Sequence, residues 1–264
     1  MKSYTTERSE RYERWFAPWL APWTDELINV ANPHPGERIL DIACGTGTVA
    51  RTIADRLSPS AHITGVDLNA SMVEVAQDLV PVGIKIAWET ASADSLPFSD
   101  DSFDLAVCQQ GFQFFPDRLA ALREANRVLR SGGRITMSVW TSIEQCPVQL
   151  ALAEALDQHL GRDVGENMRL PFACPDAETL RTLLTDAGFR DVSLSTQAKT
   201  LSWPSVRDYV HRYVSITPAA DAFEAATEQT RDAVVEIVAD RSKDLIQNGE
   251  LLFPTQTNLV CAST

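Results

Sequence analysis

Residues 37–54 read ERILDIACGTGTVARTIA. A short apolar run, Arg38–Ala43, enters a loop holding Gly45 and Gly47, and a helical pattern opens at about Thr48. Gly45, Gly47 and Ala50 have the spacing of a dinucleotide-binding fingerprint. Glycines at such a turn let the backbone bend tightly and approach a ligand at a helix N-terminus whose amides face it. Three occupants stay open on this reading: a nicotinamide dinucleotide, a phosphate group, or another adenosine cofactor.

Outward from this stretch, apolar runs alternate with helical patterns. RILDIA (38–43), HITGVDL (62–68), IKIAWETA (84–91), FDLAVCQQ (103–110) and RITMSVW (134–140) read as strands. SMVEVAQDLV (71–80) and RLAALREANRVLR (118–130) read as helices, the second capped by Asp117 and ended by Gly132 and Gly133. Strand–helix alternation of this kind predicts an α/β fold, a doubly wound parallel sheet with helices on both faces. Further on, 176–189 is an amphipathic helix, 191–203 a strand, 205–216 and about 219–247 helical, and 250–262 a last strand.

The composition narrows the partners. The chain has 264 residues, 36 Asp and Glu against 23 Lys and Arg, and a formal net charge of -13, which disfavours nucleic acid and anionic lipid. Five scattered cysteines without a C-x-x-C or His/Cys cluster predict no metal site. The charged start MKSYTTERSERYERWF is unlike a signal peptide, and no apolar run approaches membrane-spanning length, so the expectation is a soluble cytoplasmic protein.

Neighbouring residues separate the candidate occupants. Asp41 stands four residues before Gly45, where a pyrophosphate would be repelled and an ammonium or sulfonium attracted. Asp67 ends the second strand, the position that accepts hydrogen bonds from ribose hydroxyls in any adenosine cofactor. No Lys follows Gly47, which excludes a triphosphate-binding loop.

ILDIACGTG, ITGVDLNASMVEVA, ASADSLPFSDDSFDLAVCQQGFQFFPD and ALREANRVLRSGGRITMSVW, in this order, resemble the successive motifs of class I S-adenosylmethionine-dependent methyltransferases. The likeness is to the ubiquinone/menaquinone-biosynthesis and natural-product (type 11) branch and covers about residues 37–140. It implies a Rossmann-like, seven-stranded, mostly parallel sheet, with S-adenosylmethionine as cofactor and S-adenosylhomocysteine as product. It also implies roles by position. Asp41, Ala43, Gly45, Thr46 and Gly47 would line the methionine part, and Asp67 would hold the ribose. Leu68 and Met72 would lie against the adenine, with Ala93, Asp94 and Ser95 at its amino edge. Gln109 and Gln110 would meet the amino-acid end.

The acceptor side departs from the family. A histidine pair is common after the fourth strand; here stands GFQFFPD, with Gln113 at the polar position and Phe112 and Phe114 beside it. An apolar, aromatic-walled pocket with an orienting amide follows from that. Among His34, His62, His159 and His211, only His211 stands clear of the wrong sheet end or a helix terminus, so His211 and Gln113 are the catalytic candidates, with a surface histidine as the plainer reading of the first. Tyr12, Trp15 and Trp19 in the N-terminal segment and Tyr209 and Tyr213 near His211 complete the candidate pocket, Trp15, Trp19 and Trp23 sharing one helical face that Pro18 and Pro22 bend.

The expected organisation is an N-terminal helical lid (1–36), a cofactor-binding core (37–204), a helical insertion between the sixth and seventh strands (205–249) and the final strand (250–264). The apolar face of the insertion, Val206–Tyr213, reads either as a substrate cap or as a homodimer contact. The expected activity is methyl transfer to the oxygen or carbon of a small, largely apolar molecule. The alternative is a cyclase-like enzyme on the same fold that binds the cofactor without using its methyl.

Overall fold

The computed structural model describes residues 5–60, 62–174 and 176–264; the first residues of the expected lid, 1–4, lie outside them. The chain opens with α1 (Thr6–Arg11), a wide turn over Tyr12–Phe16, and α2 (Ala17–Ala31). The alternating part follows: β1 (Arg38–Ile42), α3 (Thr48–Leu57), β2 (His62–Asp67), α4 (Ala70–Asp78), β3 (Ile86–Thr90), β4 (Phe103–Gln109), α5 (Arg118–Val128) and β5 (Leu129–Trp140). Then come α6 (Pro147–Leu160), α7 (Arg162–Arg169), α8 (Ala177–Asp186) and β6 (Arg190–Trp203). The chain closes with α9 (Val206–Ser215), α10 (Ala220–Ala225), α11 (Glu228–Arg241), β7 (Ile246–Gln247) and β8 (Glu250–Ser263).

The sheet order is β3-β2-β1-β4-β5-β8-β6, with the two-residue β7 folded back on β8. Neighbours from β3 to β5 are parallel; β8 runs antiparallel between β5 and β6. The sheet is therefore the doubly wound, mostly parallel one, with β7 as an added eighth strand. Alternation along the strands feeds two cores. Ile39, Leu105 and Val107 pack with Leu27 and Ile28 of α2 and Ile53 of α3. Leu40, Ile42, Ala106 and Cys108 pack on the other face with Leu122 of α5 and Leu180 of α8.

A third core joins the helical layer to the ends of the long β6–β8 pair. Leu152 and Leu156 of α6, Met168 of α7, Tyr209 and Val210 of α9, and Val234 and Val238 of α11 meet Trp203, Leu251 and Phe253 there, with Trp23 of α2. The layer draws on two segments, α6–α7 before β6 and α9–α11 after it, so residues 147–169, expected within the cofactor-binding core, pack with the inserted helices. The long 219–247 pattern is two helices, α11 starting anew where Thr227 accepts from the Thr230 amide.

Three expectations are corrected. The helix after β4 ends at Val128, and the chain is already extended at Leu129, so Gly132 and Gly133 lie within β5. The tryptophans do not share a face. Pro18 has no amide and its ring crowds the carbonyl of Arg14, and the backbone widens just before it, the Ala17 amide donating to Tyr12 five residues back. Trp19 and Trp23 turn into the third core, while Trp15 lies outside it, between the guanidiniums of Arg14 (4.4 Å) and Arg212 (4.1 Å). The α9 face is no dimer contact: Val206, Tyr209, Val210 and Tyr213 are buried inside the chain, their apolar area already covered by β6, β8 and the N-terminal segment.

Candidate active site

The carboxyl ends of β1, β2 and β4 converge on the glycine loop. Asp41, near the end of β1 and 1% exposed, accepts from the Ala50 amide in the first turn of α3 at 3.1 Å. Ala43, Gly45 and Gly47 all have positive φ (57°, 55° and 82°), the conformation that carries the loop from strand to helix. Asp67 accepts from the Gly45 amide at 2.9 Å and the Asn69 amide at 2.8 Å, so the same carboxylate fixes the glycine loop and the start of α4.

Two carboxyl groups at one loop titrate unusually. Burial pushes Asp41 up to about 8 against the pull of the Ala50 amide, and the Asp67 charge raises it further. Asp67 is raised too, by burial, although the Asn69 and Gly45 amides oppose it. Such a pair favours a ligand that brings positive charge. A Cβ at Gly45 would meet nothing within 4 Å, so the loop is open on that side. Beside it Leu68 leaves 62% of its surface exposed, an apolar face next to the Asp67 carboxylate. Met72 is buried in the first turn of α4, and Ala93, Asp94 and Ser95 form a half-buried-to-exposed turn after β3. Acidic pair, open glycine cradle and apolar face suit an adenosine cofactor with a cationic amino-acid end.

Gln109 ends β4 and accepts from the Thr24 hydroxyl of α2 at 2.9 Å, its Nε2 buried without a partner. Gln110, at φ 52°, turns the chain and donates to Thr257 of β8 at 3.0 Å. Gln113 is 5% exposed and donates to Gln110 at 3.3 Å, leaving its Oε1 buried and unpartnered. The Ser138 hydroxyl, on the β5 residue paired with Gln109, is unpartnered as well. Unpaired buried groups cost stability, so these three atoms are donors and acceptors open to a bound molecule.

The aromatic candidates divide. Tyr12 packs on Phe16 (5.2 Å), Phe16 on Trp19 (5.2 Å) and Tyr213 (5.4 Å), Tyr213 stacks on Tyr209 (5.3 Å), and Tyr209 meets Phe253 (4.9 Å). The Tyr209 hydroxyl is buried without a partner. Phe112, fully buried, belongs to the β4–α5 core, and Phe114 is 44% exposed. His211 is on the opposite side of α9 from Tyr209 and Tyr213, edge-on to Phe223 at 5.3 Å, lining a separate surface pocket with Ser215, Glu224 and Arg231. Burial and the neighbouring Arg207 and Arg231 charges lower its pKa.

Glu13, Arg51 and Trp88 stand at this site without having been singled out from the sequence. Thr46 donates to Glu13 at 2.6 Å, and Arg51 donates to Glu13 at 2.6 Å and to the Thr46 carbonyl. Trp88 of β3 lies against Gly47 and Gly65, and a Cβ on either glycine would overlap its ring. Gly65 was the readable signal, since a glycine within a strand marks a close approach.

Residues 39–133 match the family model of a methyltransferase domain. The chain is similar to the ubiquinone/menaquinone biosynthesis C-methyltransferase UbiE of Neisseria meningitidis, 32% identical over 184 residues, 64% of this chain and 74% of the relative. It is also similar to an O-methyltransferase of Pyrenophora dematioidea, 36% identical over 171 residues, 63% of this chain and 59% of that one. Among solved structures, the phosphoethanolamine N-methyltransferase 2 of Haemonchus contortus, in complex with S-adenosyl-L-methionine, superposes with a TM-score of 0.61 at 17% identity, covering 100% of this chain and 58% of that one.

Proposed function

This chain belongs to the class I S-adenosylmethionine-dependent methyltransferases, and from that premise we propose that it methylates an oxygen or carbon atom of a small, largely apolar, quinone-like or natural-product acceptor. In this reading Asp41, Ala43, Gly45, Thr46 and Gly47 take the methionine end of the cofactor, Asp67 the ribose hydroxyls, Leu68 and Met72 the adenine face, Ala93–Ser95 its amino edge, and Gln109 and Gln110 the amino-acid end. The cofactor supplies an activated sulfonium methyl. The chain's own residues bind and orient the two reactants and keep water out, which is most of what an in-line displacement needs.

The observation that carries the acceptor class is the pair of buried polar atoms without partners, Gln113 Oε1 and the Tyr209 hydroxyl, the latter in an aromatic surround. They would hold a molecule that is mostly ring or chain with few oxygens. Among the described residues no histidine stands at the carboxyl ends of the strands: His62 opens β2 and His211 faces its own pocket. Gln113 therefore acts as an orienting amide, and the acceptor is one that ionises readily or presents a stabilised carbon nucleophile. The curated relatives named for C- and O-methylation support the same chemistry. The N-terminal segment and the helical layer, with α6 and α7, enclose the acceptor.

Incubation with S-adenosylmethionine and a panel of hydroquinones, acidic phenols and aliphatic amines, read by product mass, tests this. Gain of one methyl on the first two classes is expected. Conversion with no mass gain would replace methyl transfer by the cyclase-like reading, and methylation of the amines alone would overturn the acceptor class.

A further inference from the structure

The N-terminal segment is held in two different ways. α2 has a buried apolar anchor beside its polar contacts: Trp23 and Leu27 are fully buried and Ile28 is 1% exposed. In residues 6–16 only Ser9 is buried; Tyr12 and Phe16 pack half-buried against the third core, and the other ties to the body are polar side-chain bonds. Thr6 donates to Glu74 at 3.1 Å and the Ser9 and Ser71 hydroxyls share a hydrogen bond of 3.2 Å, both to α4. Arg8 pairs with Asp221 (2.8 Å) and Arg11 with Glu224 (2.7 Å), both on α10. Between these two sets of ties, Glu13 reaches the glycine loop, accepting from Thr46 and Arg51.

We propose that Glu13 is a positioning residue, a latch that closes residues 6–16 over the glycine loop and sets the rate at which the cofactor product leaves. The division of contacts carries this. An apolar anchor opens only with the core, whereas a polar strap exchanges its bonds for water at small net cost. The wide turn at Tyr12–Phe16 and the prolines at 18 and 22 separate the two parts, and such turns are where a helix bends. Glu13 sits on that turn, and its two partners lie at the bottom and first turn of the cradle, so the strap cannot lift without breaking both bonds. The same strap touches α9 through Phe16 on Tyr213 and Arg212 on Trp15, so releasing the latch loosens the acceptor side with the cofactor side. The inference rests on the cofactor and not on the choice of acceptor.

Stopped-flow dissociation of S-adenosylhomocysteine, with hydrogen exchange of the free protein, tests it on Glu13→Gln and Thr46→Val. Expected is a dissociation rate raised roughly ten- to hundredfold in Glu13→Gln, the worth of one or two charge-assisted hydrogen bonds, and a smaller rise in Thr46→Val. Exchange should quicken over residues 6–16 while 20–31 stay protected. Unchanged dissociation in both variants overturns the latch. So does loss of protection through 20–31, which would make Glu13 part of the folded core.

Discussion

At the end of β1 a carboxyl group covered by α3 is held protonated up to about pH 8, and its neighbour Asp67 is raised with it. Both raised groups bind more protons folded than unfolded, Asp41 between the ordinary carboxylate value of about 4 and about 8. The cofactor-free protein should therefore lose stability as pH climbs through that window, and Asp41→Asn should flatten the fall. Melting temperatures of both proteins across the window check this; parallel curves would contradict it. A cationic cofactor favours the ionised pair, so its binding should release protons, seen as a buffer-dependent heat in calorimetry. Asp67→Ala removes the proposed ribose partner and the acceptor of the Gly45 amide together. Cofactor affinity should fall by roughly 1.5–3 kcal/mol with the fold retained, measured by titration calorimetry and circular dichroism. Asp41 and Asp67 were legible because their spacing from the glycines is a local property. Glu13 and Arg51 were not, because their meeting depends on how the N-terminal segment is laid across the loop.

Strands and helices were readable where one pattern ruled. The parallel strands are short apolar runs between helices with caps, and their boundaries stay close to the sequence expectation. The misplaced end of α5 has a local cause: Leu129 pairs with Phe103 of β4, so sheet pairing overrode two glycines that propensity favours as a helix stop. The β2–β3 pair shows the reverse, a glycine whose meaning is tertiary. Gly65 is opposite Trp88, whose indole fills the space a side chain would need. Gly65→Ala should cost roughly 1–3 kcal/mol by overpacking. Gly65→Ala combined with Trp88→Phe should cost less than the sum of the two single changes. Denaturant melts of the three variants decide it, and strict additivity would show that the contact does not matter.

For the molecule as a whole, the proposed acceptor site draws on the helical layer. Tyr209 places a hydroxyl in a buried aromatic cluster with no partner. Removing an unpaired buried hydroxyl relieves its desolvation cost. Tyr209→Phe should thus melt no lower than the parent, and turnover of the acceptor should fall with S-adenosylhomocysteine affinity unchanged. A lower melting temperature with normal turnover would assign Tyr209 to packing alone. By itself the sequence determined the doubly wound sheet, the glycine loop and the cofactor, because each rests on residues a few positions apart whose geometry the backbone fixes locally. Only the tertiary structure decided the rest. It showed that α6 and α7 pack with α9–α11 in one helical layer and that the α9 face is spent inside the chain. It parted Trp15 and His211 from the aromatic cluster and set Glu13 on the glycine loop. Those outcomes depend on which apolar faces find each other across long stretches of chain, and an amphipathic pattern states that a face will be buried without stating against what.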